Sequence, residues 1–98
     1  MAASDSAASA RTEKREAFRR ARAAKNREVA RERRRKARLE EVNARIAELE
    51  ARLTELRQGL ADPPCDRSEV QRMGEEYMEA ERELETLLEE WDQLRLGG

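Results

Sequence analysis

Ninety-eight residues with 38% apolar and 44% charged content, and only three aromatics (Phe18, Tyr77 and Trp91), cannot close an ordinary globular core. Such a composition leaves disorder or a coiled coil. The apolar runs are too short to span a bilayer, and the N-terminus lacks the basic-then-apolar pattern of a secretory signal. A cytoplasmic protein without membrane contact is therefore expected. The net charge of −1 hides a division: residues 11–38 carry fourteen Lys or Arg against four Glu, and residues 39–98 carry seven against seventeen acidic residues. Two parts of opposite charge cannot share one kind of partner.

Residues 1–10, almost all Ala and Ser, read as a flexible leader or linker. From Arg11 to Gln58 there is no Gly or Pro, and Ala, Arg, Glu and Leu dominate. These residues lose little side-chain freedom in a helix, so one unbroken helix is predicted. Its first part, residues 11–38, is a basic helix. Gly59 and then Pro63-Pro64 end it, because proline disfavours helical geometry at the residue before it. A loop of about residues 61–66 follows, holding Cys65, the single cysteine. Asp66 with Glu69 three residues on is a capping-box pattern that starts a second helix, running to about Arg95. Gly97-Gly98 should fray.

The apolar residues of 39–60 are Leu39, Val42, Ile46, Leu49, Leu53, Leu56 and Leu60, in alternating steps of three and four. Those of the second helix are Val70, Met73, Tyr77, Ala80, Leu84, Leu87, Trp91 and Leu94, with the same alternation. Two a/d seams on either side of a short loop predict an all-α fold, a two-helix antiparallel coiled-coil hairpin over residues 39–96 with a basic N-terminal helical extension. Flanking charges agree with the direction. With Leu39 and Val70 at position a, Arg38, Arg45 and Arg52 occupy g in one helix, and Glu69, Glu76, Glu83 and Glu90 occupy g in the other. Antiparallel pairing sets g against g, Arg against Glu. The best register opposes Leu60 to Met73, Leu56 to Tyr77, Leu53 to Ala80, Leu49 to Leu84, Ile46 to Leu87, Val42 to Trp91 and Leu39 to Leu94. On the other flank Glu50 and Glu81 are expected to approach each other.

Upstream of Leu39 the seam stops, and its positions become Arg35, Glu32, Glu28 and Lys25. At about 100° per residue, Arg11, Lys14, Arg15, Arg19, Arg22, Lys25, Arg33 and Lys36 share an arc of roughly 140°. Arg31, Arg34, Arg35 and Arg38 form a second face. With Arg27, these are the candidate nucleic-acid contacts, since many cations on a rod release condensed counterions when they meet phosphate. A solvated charged helix, or one that docks on an acidic protein surface, is the plainer alternative. No catalytic set is encoded: there is no His, no Gly-rich phosphate loop, and no Ser/Lys or Cys/His pair in a recognisable motif. Neither a metal nor another cofactor is expected, and the chain by itself is not read as an enzyme.

The stretch RIAELEARLTELRQGLADP, a short polar loop and SEVQRMGEEYMEAERELETLLEEWDQL resemble the C-terminal coiled-coil domain of ABC-F ATPases of the Uup type. The resemblance is carried by Leu60-Ala61-Asp62-Pro63, Glu76-Tyr77 and Trp91, over residues 39–96, and the closing Gly97-Gly98 fits it as well. It implies a domain appended to ATP-binding cassettes in a parent chain, which would hold the ATPase activity. It also implies binding to DNA or to the ribosome. Two other families share parts of the pattern. Lys25-Asn26-Arg27-Glu28-Val29-Ala30-Arg31-Glu32 is similar to the contact signature of basic-region leucine zippers, which bind DNA as dimers. That family needs a Leu ten residues after Arg34, where this chain has Ala44, and the Pro-containing break ends the zipper early. The N-terminal coiled coil of peptide-chain release factors has a similar Asp-Pro and Glu-Tyr texture. A structural spacer or protein-interaction arm is the reading without nucleic acid. A monomer is expected from the intramolecular hairpin.

Overall fold

The computed structural model describes residues 2–97, with side chains from residue 6 onward. Two helices make up the described chain: α1, Ala2–Ala61, and α2, Arg67–Leu96. The chain divides into two compact units, Met1–Arg34 and Arg35–Gly98. Helix α1 takes in the Ala/Ser-rich segment set apart above as a leader. Alanine is the best helix former, and no Gly or Pro interrupts the run into the basic helix. Gly98 and Met1 lie outside the described residues, so the fraying expected at the last glycine falls outside them as well.

The second unit is the expected hairpin. Its direction can be read from three ion pairs: Arg38 with Glu90, Arg45 with Glu83 and Arg52 with Glu76. Each forward step of seven along α1 is matched by a backward step of seven along α2, which only antiparallel helices allow. The pairs also fix the register as the a-against-d layering predicted from the seams. Val42, Leu49, Leu53, Ala80 and Leu87 form the buried cluster, with Ile46, Tyr77, Leu84, Trp91 and Leu94 packed half-buried against it. Leu56 is also buried, at 1% exposure. Among the described residues no polar side chain is buried. Two helices can enclose only a narrow seam, which is why the outer layers stay half-open.

The turn is built from local chemistry. Helix α1 ends with the Asp62 amide donating to the Gln58 carbonyl at 3.4 Å. The Asp66 carboxylate caps α2 by accepting from the Ser68 amide and the Ser68 hydroxyl, both at 2.9 Å. These bonds, the hydroxyl's first, hold the Asp66 carboxyl below its ordinary value. Gly59 is where the helices come close: a Cβ there would collide with Met73 Cε.

Candidate nucleic-acid interface

The charge pattern sorts into two settings. In the hairpin, each g-position arginine is held between two carboxylates. Arg45 donates through Nε and Nη2 to Glu83 across the seam, and through Nη1 to Glu48 on its own helix at 3.1 Å. Arg52 repeats this with Glu76 and Glu55, and Arg38 with Glu90 and Glu41. Hydrogen bonding to these arginines pulls the Glu76, Glu83 and Glu90 carboxyls below the ordinary 4.5. The part played by Glu41, Glu48 and Glu55 was not foreseen from the heptads. Its signal is the Arg-to-Glu spacing of three, repeated every seven residues.

Two candidate contacts are thereby engaged inside the hairpin. Arg38 is one. Arg35 is the other: it occupies the seam's next position upstream of Leu39, a d position, and its Nη1 donates to the Leu94 carbonyl at 2.7 Å, near the end of α2. An orphan carbonyl of a helix C-terminus is a natural partner for a guanidinium. Close by, the Arg95 guanidinium lies 4.7 Å from the centroid of the Trp91 ring. Trp91 belongs to the seam, as its spacing predicted.

The opposite flank corrects one expectation. Glu81 was set against Glu50, but it shares a surface groove with Arg57, Leu53, Leu84, Glu85 and Leu88. The Arg57 guanidinium donates to the Tyr77 hydroxyl at 3.3 Å. That bond first, and the Glu81 charge last, raise the Arg57 pKa. In this register an e residue faces the e residue one layer away, which puts Arg57 by Glu81.

In the first unit, Arg11, Lys14, Arg15, Arg19, Arg22, Lys25, Arg27, Arg31, Arg33 and Arg34 are all exposed. Arg11 Nε reaches the Ala7 carbonyl at 3.4 Å. For the others no carboxylate partner is found among the described residues. Lys36, in the second unit, is exposed too. One cation was missed. Arg20 is exposed, seven residues before Arg27 and fourteen before Arg34. At 100° per residue these three and Arg31 share an arc of roughly 60°, facing away from the Arg15–Arg22 arc. The signal was its seven-residue spacing.

Among the described residues no helix is long and apolar enough to cross a membrane. Nor is any group of three or more His, Cys, Asp or Glu there placed to hold a metal ion. What the geometry offers is an antiparallel hairpin whose g-position arginines are paired with carboxylates, and a helical unit dense in exposed cations.

Residues 30–95 match the family model described as the ABC transporter C-terminal domain. The chain belongs to that family. The match covers the hairpin up to Arg95 and the last residues of the basic segment, from Ala30 onward. No curated protein and no solved structure matches the chain. As an ABC transporter C-terminal domain, the chain uses its a/d seam within itself. The leucines of α1 that a zipper dimer would share are packed against α2 of the same chain. Residues 11–29, which hold most of the exposed cations of the first unit, lie outside the matched region.

Proposed function

We propose that this chain is a nucleic-acid-binding C-terminal domain of an ABC-F ATPase of the Uup type, cytoplasmic and monomeric, and that its basic helix binds phosphate backbone in DNA or ribosomal RNA. The observation that carries this reading is the contrast between the two units. The hairpin arginines Arg38, Arg45 and Arg52 each face two carboxylates, whereas Arg15, Arg19, Arg22, Lys25 and Arg33 stand exposed with none found for them among the described residues. A rod bearing so many like charges repels itself, and a polyanion relieves that repulsion while releasing its own counterions.

The chemistry of the parent would reside in its cassettes, and this domain would add affinity for the nucleic acid on which they act. Contacts to phosphate position a protein without reading bases, so little sequence preference is expected. Binding of duplex DNA, single strands and ribosomes by the full chain, compared with residues 39–98, tests the reading. Retention by the full chain alone supports it. Equal binding by residues 39–98 moves the site to the hairpin and contradicts it.

A further inference from the structure

Phe18 is the one aromatic of the chain outside the hairpin, and it is 64% exposed. Its neighbours on the helix surface are nearly all cations. Residues at i−7, i−4, i−3, i+4 and i+7 are Arg11, Lys14, Arg15, Arg22 and Lys25, and only Ala21 at i+3 is small and apolar. The ring forms a shallow concave surface with Ala21, Arg22, Lys25 and Asn26. At 100° per residue, Phe18 sits within the arc these cations define. Leaving a large apolar ring in water at the centre of such a patch is unfavourable unless something covers it.

We infer that Phe18 is a base-stacking residue, and that the cationic face around it prefers nucleic acid with unpaired bases over intact duplex. The inference rests on the nucleic-acid reading above and narrows its substrate. Five cations, all within about two helical turns of the ring on either side, select a polyanion by charge complementarity. Single-stranded nucleic acid is the polyanion that also offers exposed aromatic faces, and any base can stack on a phenyl ring whatever its sequence. In a duplex the bases are already stacked, so an apolar wedge must first separate a step. An anionic membrane is a poorer fit, because a helix lying in a bilayer surface needs a continuous apolar face. Here the positions flanking Phe18 on its own face are charged, and Val29, three turns on, is the next large apolar residue in that direction.

The test uses the full chain with a short unstructured single strand, the matched duplex and anionic phospholipid vesicles, at one fixed salt concentration. Phe18→Ala removes the ring, and Phe18→Leu keeps an apolar side chain without it. Phe18 is an exposed helix position, so helix content by circular dichroism should be unchanged in both variants. Loss of a stacked base weakens single-strand binding roughly fivefold to a hundredfold. The expected result is such a loss in both variants, with duplex binding altered less than about twofold and an unchanged salt slope, because no phosphate contact is removed. Phe18→Trp should restore or tighten single-strand binding. Equal single-strand and duplex affinities, with neither weakened by Phe18→Ala, overturn this inference and leave the phosphate reading standing. Absence of binding to both nucleic acids overturns both. Ring-dependent binding to vesicles in place of single strands overturns the choice of partner.

Discussion

Arg45 and Glu83 meet across the hairpin as a fork: Nε donates to Oε1 at 2.7 Å and Nη2 to Oε2 at 2.9 Å. The same fork recurs one heptad away in each direction, so pairing direction is written three times along one flank. Exposed pairs of this kind choose partner and orientation more than they supply stability. Reversing one partner, as Arg45→Glu or Glu83→Arg, should lower the urea midpoint, and combining both should restore much of the loss. Recovery should be incomplete, because Glu48 would then face a carboxylate at i−3. The coupling should shrink in 1 M salt, where exposed charges are screened. Additive losses at low salt would show the pair to be incidental.

The carboxyls of Glu76, Glu83 and Glu90 are held below the ordinary 4.5, first by hydrogen bonds from Arg52, Arg45 and Arg38 and then, against desolvation, by their charge. A folded-state pKa below the unfolded one means the stabilisation is complete above pH 4.5 and is lost as pH falls through the folded value. A variant combining Arg38→Gln, Arg45→Gln and Arg52→Gln isolates this from the general easing of repulsion among the other glutamates. The difference in urea midpoint between native chain and variant should be constant above the ordinary range and should close in acid. A difference that persists after the carboxylates are protonated would contradict the assignment.

The core leucines differ in depth, and their substitutions should follow. Leu49→Ala and Leu56→Ala, at 4% and 1% exposure, should each cost about 2–5 kcal/mol. Leu84 is half-buried and should cost less, and Leu88→Ala, 45% exposed, should stay within about 0.5 kcal/mol. Chemical denaturation of the four variants checks the order.

The two helical glycines separate propensity from packing. Nothing lies within 4 Å of a Cβ built on Gly74, so Gly74→Ala should gain about 0.5–1 kcal/mol from helix propensity alone. Gly59→Ala should gain less, because Met73 must move its methyl group aside. Thermal melting of both variants should show the larger rise for Gly74→Ala.

Much of the hairpin was legible in the residues. The alternation of Leu39, Val42, Ile46, Leu49, Leu53 and Leu56 fixes which face is buried, and the glycine and prolines fix where the chain turns. The Arg and Glu positions at g then give direction and register. What the heptads did not reveal depends on three-dimensional offsets between helices. Glu81 meets Arg57 because facing e residues are staggered by a layer. Arg35 reaches the Leu94 carbonyl because α2 stops there, and a seam position beyond a partner's end has a backbone to cap. In the basic helix, spacing identified most of the exposed cations but passed over Arg20. It also gave no role to Phe18, whose meaning appears only once its exposure is known.

The salt dependence of binding to duplex DNA tests the central claim most directly. If about five phosphates are neutralised by the basic helix, the log–log slope should be near −4.5. Replacing Arg19, Arg22, Lys25, Arg33 and Lys36 with Gln keeps helix propensity while removing the charge. The account predicts a flatter slope and affinity weakened alike for every sequence. An unchanged slope and affinity in that variant, or a strong preference of the native chain for one palindromic duplex, would contradict it.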